Sequence, residues 1–313
     1  MSQPQAPAIE KRFDIVALGE AMVEFNQTRP GEPQYLQGFG GDTSNAAIAA
    51  ARAGARVAYL TRLGRDLFGD DLMALWQREG VDTSGVERDE AAPSGIYFVT
   101  HGAKGHEFSY RRAGSAASRM TPQWLPRDIV RTARILHVSG ISLAISQSAR
   151  DTVFAAIEEA RAANTLVSLD SNLRLKLWPL EDARVAITRA AGGCDLFLPS
   201  VEDALALSGC GDADAIVDWG HSLGAPQVVL KLGGDGALVS DGRRRERITG
   251  HAVVMADATG AGDCFCGNLL ARLAQGDSIF EAARYANAAA AIAVQGFGAV
   301  APLPRPDQVR ALL

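Results

Sequence analysis

An alternation of short, almost wholly apolar runs with longer amphipathic ones, sustained from one end of the chain to the other, narrows the fold more than any other feature. "DIVALGEAMVEF" (14–25) opens as a buried strand rich in Ile and Val and closed by a Gly. "TSNAAIAAARAGA" (43–55) reads as a helix that Thr43 or Ser44 can cap and Gly54 can end. "RVAYLTRLG" is strand-like again, and "LFGDDLMALWQREG" is a helix with apolar positions at 67, 68, 72, 75 and 76. Further strands follow at "RILHVSG" (134–140), "TLVSLDSN" (165–172), "CDLFLPS" (194–200) and "PQVVLKLG" (226–233), with helical stretches near 146–163, 181–191, 201–208 and 212–223. A strand that is apolar on both faces must be covered on both faces. The pattern therefore predicts an α/β fold with a mainly parallel sheet between two helical layers. No repeat or low-complexity linker interrupts it, so one domain over 12–313 is expected, behind a loose tail at 1–11.

One region breaks the alternation. "SGIYFVTHGAKGHEFSYRRAG" (94–114) has no helical period, and its "HGAKG" is a turn signal between two strand-like runs. Together with about 22–38 it is expected to form a small antiparallel sheet beside the main one. It is more aromatic and more charged than a core strand, which suits a lid whose inner face meets a ligand.

Charge and cysteine usage exclude several classes. A net charge of −5 gives no footprint for nucleic acid or for an acidic membrane, and the basic run "GRRRER" (242–247) reads as a solvated turn between strands. The four cysteines show no metal-ligand spacing, Cys264-Phe265-Cys266 having no partner pair elsewhere. "MSQPQAPAIEKRF" lacks a hydrophobic signal core, and no apolar run reaches membrane-spanning length, so a reduced cytoplasmic protein is expected.

In an open parallel sheet, ligands bind beyond the carboxyl ends of the strands. Polar clusters sit there at "GFGGDTSN" (38–45), "SLDSNLR" (168–174), "KLGGDG" (231–236) and "DATGAGD" (257–263). In the last, Gly260, Ala261 and Gly262 present backbone amides without side-chain obstruction at the start of a helix, where free N–H groups and the helix dipole favour an anion. Asp263 follows directly. On spacing alone it is either an N-cap or a base. An acid beside an anion hole makes chemical sense if it has a proton to take, as in phosphoryl transfer to an alcohol. No G-x-x-x-x-G-K-[ST] loop occurs, and no strand–G-x-G-x-x-G–helix unit, so neither a P-loop enzyme nor a dinucleotide dehydrogenase is indicated.

"GFGGDTSNAAIAAARAGARVAYLTRLGRDLFGD" (38–70) and "DATGAGDCFCGNLLARL" (257–273) resemble the two signature regions of the ribokinase-like (PfkB) sugar kinases, and "VVLKLGGDGALV" (228–239) resembles their nucleotide-side segment. The resemblance covers nearly the whole chain in the right order. It implies a ribokinase-like three-layer sandwich with a small β-sheet lid, and a kinase using ATP and Mg2+. It further implies Asp263 as general base and the amides of Gly260, Ala261 and Gly262 as the anion hole. Lys231, Gly233, Gly236 and Asn287 would lie along ATP, with Gly40, Gly41, Asp42 and Asn45 around the sugar. Many members carry N-x-x-E where this chain has Ser200-Val201-Glu202-Asp203. Ser200 then falls on the nucleotide side, and Asp203 is the acid expected to organise magnesium through water. A monovalent cation near Asp257 and Thr259, as in some relatives, is left open.

"YRRAGSAAS" (110–118) and "DSNLRLKLW" (170–178) resemble the 2-keto-3-deoxygluconate kinases of that family. The resemblance assigns Tyr97, Tyr110, Arg112, Asn172 and Arg174 to the sugar. The chemistry agrees, because a guanidinium meets a carboxylate with strong bidentate bonds that a neutral hexose does not offer. The expected reaction is phosphorylation of the C6 hydroxyl of 2-dehydro-3-deoxy-D-gluconate. The alternatives are a neutral-sugar kinase (fructokinase or ribokinase) and a non-catalytic sugar or nucleotide sensor. A homo-oligomer paired through the lid is expected.

Overall fold

The computed structural model describes residues 10–102 and 105–313. Thirteen strands occur among them: β1 (Phe13–Leu18), β2 (Met22–Gln27), β3 (Tyr35–Gly40), β4 (Val57–Gly64), β5 (Val86–Asp89), β6 (Gly95–Gly102), β7 (Gly105–Arg111), β8 (Ala133–Ser139), β9 (Leu166–Asp170), β10 (Leu196–Phe197), β11 (Gln227–Lys231), β12 (Gly236–Ser240) and β13 (Arg245–Thr249). Nine of them form the central sheet in the order β13-β12-β11-β10-β9-β8-β1-β4-β5. Every pair from β11 to β5 is parallel, and the β11–β12–β13 meander adds an antiparallel edge.

The double-sided apolar strands are explained by two cores. Ile15 and Ala17 of β1 face one, with the helices Asp42–Arg52, Ala261–Ala274 and Ile279–Ala293. Val16 and Leu18 face the other, with the helices Gln147–Ala162, Leu180–Ala191 and Ala213–Ser222. The architecture is a three-layer α/β sandwich, a sheet between two helical layers.

A second sheet has the order β3-β2-β6-β7. Its outer pairs are antiparallel, but β2 and β6 run parallel, so it is mixed rather than the expected antiparallel sheet. The reason lies in the connections. β1 and β5 belong to the parallel part of the central sheet, and the chain leaves each at the same end to enter β2 and β6. "DIVALGEAMVEF" is accordingly split between the two sheets at Gly19, where a Cβ would sit 2.2 Å from Thr43 Oγ1 and 2.7 Å from Ser142 Oγ.

Other local expectations are revised. The first helix begins at Asp42 behind Gly41, whose φ of 113° disfavours any other residue. Thr43 and Ser44 are buried inside it rather than capping it. Thr43 Oγ1 meets the Tyr59 hydroxyl at 2.9 Å, and Ser44 Oγ accepts from Trp76 Nε1 at 2.9 Å. Leu67, read as part of an apolar stripe, is 69% exposed. In "GRRRER" only 242–244 form the turn, and Arg245 lies in β13, paired with Asp214 and Asp218. Of the expected tail, residues 1–9 lie outside the described residues, as do 103 and 104 of the "HGAKG" turn. Lys11 donates to Arg131 O, Ala163 O and Thr165 Oγ1. Cys194, Cys264 and Cys266 are buried and Cys210 is half-buried, all four as free thiols. No helix among the described residues is long and apolar enough to cross a membrane.

Candidate active site

A cavity of about 990 Å³ lies between the second sheet and the carboxyl ends of β9 and β11. Of the nineteen residues expected at the site, eighteen line it. Gly40 does not; it lies behind Tyr97, whose hydroxyl a Cβ would approach to 2.3 Å.

The helix Ala261–Ala274 starts at Gly260, which has a left-handed φ of 74° and makes no side-chain cap. Asp263 is therefore not the N-cap; it stands in the first turn with its carboxylate in the cavity, where Asn45 Nδ2 donates to Oδ2 at 2.8 Å. Burial, and next to it the nearby Asp42 carboxylate, push the Asp263 pKa up to about 7, against the opposing pull of Asn45 and Lys231. A carboxylate poised there is a competent base near neutral pH. The amides of Ala261 and Gly262 lie in the first helical turn beside it, a position that suits an anion.

Asp42 is buried, which raises its pKa, and its Oδ2 accepts from Asn172 Nδ2 at 3.0 Å. Its Oδ1 and the Oδ1 of Asn45 are buried with no hydrogen-bond partner among the described residues. Such orphaned acceptors facing a cavity suit hydroxyl donors from a ligand. Asn172 takes a φ of 28°, unusual outside glycine, in the sharp turn that carries the chain from β9 to Arg174.

On the second sheet, the Tyr97 hydroxyl donates to Glu24 Oε2 at 2.5 Å, and the Tyr97 and Tyr110 rings stack at 5.6 Å. Burial raises the pKa of Tyr97 and of Glu24. Tyr97 feels the charge of Asp263, whereas Tyr110 feels those of Arg112 and Arg174. The Glu24 carboxylate acts on both rings.

The two arginines differ. Arg112 Nε donates to Glu20 Oε2 at 2.7 Å in an ion pair whose carboxylate is fully buried, and Ser115 Oγ holds the other Glu20 oxygen. Arg174 is exposed at the cavity edge. It donates to Leu173 O at 2.8 Å, and it has no carboxylate within ion-pair distance among the described residues.

On the other side, Lys231 Nζ is 2.7 Å from Asp170 Oδ2. Gly233 and Gly236 take φ values of 60° and 95° in the β11–β12 turn, and at Gly236 a Cβ would collide with Ile248 O at 2.0 Å. Asn287 Nδ2 donates to Thr249 O, with Ala290, Ala291 and Val294 along the same wall. Ser200 caps the helix Val201–Ser208 by accepting from Asp203 N. Asp203 Oδ2 accepts from Ser171 Oγ at 2.8 Å and from Leu173 N at 3.0 Å; neither bond falls on Oδ1. No cluster of three or more His, Cys, Asp or Glu suited to a metal occurs among the described residues. One carboxylate with an exposed Glu202 beside it nevertheless fits magnesium, which keeps much of its water and binds chiefly to phosphate. Asp257 Oδ1 accepts from Thr259 N and Oγ1, and its Oδ2 accepts from Gly298 N.

Glu20, Glu24 and Asp170 were not anticipated. Asp170 stood in the quoted "SLDSNLR" as an acid at a strand end, a signal that could have found it. Glu20 and Glu24 had none, since their partners lie 92 and 73 residues away.

Residues 12–306 match the pfkB family carbohydrate kinases. The 2-dehydro-3-deoxygluconokinase of Thermoproteus tenax is 35% identical over 321 residues, covering 100% of this chain and 97% of that protein. A probable fructokinase-4 of Arabidopsis thaliana is 33% identical, with 96% of each chain covered. Among solved structures, the Vibrio cholerae O395 fructokinase in its fructose, ADP and calcium ion bound form superposes with a TM-score of 0.86 at 30% identity, covering 96% of this chain and 99% of that one. The chain belongs to the pfkB family of carbohydrate kinases, and it is a sugar kinase.

Proposed function

We propose that the protein transfers the γ-phosphoryl group of ATP to the C6 hydroxyl of 2-dehydro-3-deoxy-D-gluconate. Asp263 takes the hydroxyl proton while the new O6–P bond forms and the bond from phosphorus to the ADP oxygen breaks, giving the 6-phospho sugar and ADP. The amides of Gly260, Ala261 and Gly262 stabilise charge on the group in flight. Asp42, Asn45 and Asn172, with Gly40 and Gly41 making room, hold sugar hydroxyls. Lys231, Ser200, Gly233, Gly236 and Asn287 border the nucleotide. Asp203 is the residue that would hold magnesium, which would supply charge neutralisation of the phosphates.

The observation that carries the choice of sugar is Arg174: an arginine at the cavity edge with no carboxylate partner among the described residues, beside Tyr110 and Arg112. A substrate carboxylate supplies what it lacks. A neutral sugar is the second reading, favoured by Glu20, which compensates Arg112 without any substrate. Titration calorimetry in the presence of a non-hydrolysable ATP analogue separates them. Binding of the acid sugar at least roughly tenfold tighter than D-fructose, and weakened by salt, supports the acid-sugar reading. Equal or tighter binding of fructose overturns it. The second sheet, with 22–38 and 94–114, would serve as the lid. The exposed Leu36 on its β3 edge is where a second copy would pair; a monomer in sedimentation would exclude that pairing.

A further inference from the structure

Beneath the start of the helix Ala261–Ala274 lies a buried trio. Asp170 closes β9, Lys231 closes β11, and Cys266 sits one turn into the helix. Lys231 Nζ donates to Asp170 Oδ2 at 2.7 Å and approaches Cys266 Sγ at 3.6 Å, while the thiol donates to the same Asp170 oxygen at 3.3 Å. Asp170 is held from its other oxygen as well, since its Oδ1 accepts from Asn172 N at 3.2 Å. An ammonium carries three N–H bonds. The third finds no acceptor among the described residues. Its surroundings are informative: a Cβ built on Gly262 would meet one atom within 4 Å, Lys231 Nζ at 3.6 Å. The space beside the Gly262 Cα, in the first turn of the helix, is therefore bordered by the Lys231 ammonium.

A purely structural role explains this poorly. Taking a lysine and an aspartate out of water costs several kcal/mol per ion, which their attraction offsets only with good geometry, so buried pairs are weak devices for stability. Six carboxylates (Glu20, Asp42, Asp170, Glu202, Asp203 and Asp263) line this cavity; Arg112 is paired with Glu20, and Lys231 is the cation hydrogen-bonded to Asp170.

We propose that Lys231, oriented by Asp170, donates its third N–H to the transferring phosphoryl group and does so mainly in the transition state. Asp170 is the positioning residue. As the bond to the leaving oxygen lengthens, negative charge spreads over the equatorial oxygens, and a cation already in place gains interaction without rearrangement. This rests on the reading of Gly260–Gly262 as the anion hole and of Asp263 as the base, and it is independent of which sugar is bound.

The test is steady-state kinetics with ATP, magnesium and whichever sugar the wild type phosphorylates, on Lys231→Met, Lys231→Arg and Asp170→Asn. Lys231→Met should lower kcat roughly 10²–10³-fold, the cost of removing one pre-organised donor, with the sugar KM little changed. Lys231→Arg should recover part of the loss. The acid limb of kcat/KM in Lys231→Met should also move to higher pH. Asp263 loses the ammonium that draws its pKa down, while the Asp42 and Asp170 carboxylates and the Asn45 amide that face it remain. An unchanged kcat with a raised KM for ATP would make Lys231 a ground-state nucleotide ligand and overturn the proposal, as would an unmoved acid limb. Should Lys231→Met fail to fold, Asp170→Asn decides: a fall in kcat at constant sugar KM supports the positioning role, and full turnover refutes it. Failure of the underlying reading looks different, because Asp263→Asn would then keep its turnover whatever Lys231 does.

Discussion

Around Asp263 the groups proposed to bind an anion are backbone amides at the start of a single helix, whereas Arg112 and Arg174, proposed to meet the sugar, are side chains from separate segments. The amides cannot move unless the helix unwinds, so the proposed phosphoryl end is organised before any ligand arrives. The arginine end divides its labour. Arg112 is fixed and electrically compensated by Glu20, while Arg174 is exposed and uncompensated. Catalysis should therefore depend on the first end, and discrimination between sugars on one arginine of the second.

The sharpest way to break this contrast is Asp263→Asn. Turnover should fall roughly 10²–10⁴-fold, the usual worth of a general base, with sugar and nucleotide binding retained. Stability should move the other way. The folded-state pKa of Asp263 is raised to about 7, so the native protein holds a proton that the unfolded chain releases at lower pH, and stability is lost as pH rises from the ordinary carboxylate range through about 7. The variant should melt above the wild type at pH 8, and the gap should close toward pH 4. A lower melting temperature at pH 8 would contradict the raised pKa.

Next in size is Glu20→Gln, which leaves the Arg112 charge uncompensated in a largely buried place. Breaking such a pair costs about 3–5 kcal/mol, readable from urea unfolding. The double variant with Arg112→Met should regain much of that. A loss within experimental error would mean that Arg112 reaches water and is as available to substrate as Arg174, erasing the distinction between them. Arg174→Ala should lower kcat/KM for the acid sugar roughly 10–100-fold, the worth of one charge-assisted contact, and scarcely affect a neutral sugar. Equal losses for both would make Arg174 structural. The mildest effect is that of pH on the wild type: kcat/KM should decline below about 7 as Asp263 takes up its proton, and a limb near pH 4 would argue against the buried base.

The same contrast explains what was legible in the sequence. A phosphoryl end could be proposed from the sequence because Gly260, Ala261, Gly262 and Asp263 are contiguous and resemble a family signature, although spacing alone left Asp263 as either N-cap or base. The layered α/β fold was readable because strands such as β1 are apolar on alternate residues toward both cores. What escaped depends on distant pairing. Glu20 has no local signature, since its meaning comes from Arg112 and Ser115 on the far side of the second sheet. Asp170 looked like one polar residue at a strand end until β11 brought Lys231 beside it. The parallel pairing of β2 with β6 is set by where the chain leaves the central sheet, which turn residues do not encode. Leu67 matched a helical apolar stripe, yet it stands at the helix's exposed first turn.

The most direct test of the acid-sugar reading is ADP release from ATP and magnesium with 2-dehydro-3-deoxy-D-gluconate, D-fructose and D-ribose in parallel. A kcat/KM for the acid sugar well above both others is the expected result, and it should collapse toward theirs in Arg174→Ala. Turnover confined to fructose or ribose would keep the kinase and discard the carboxylate site.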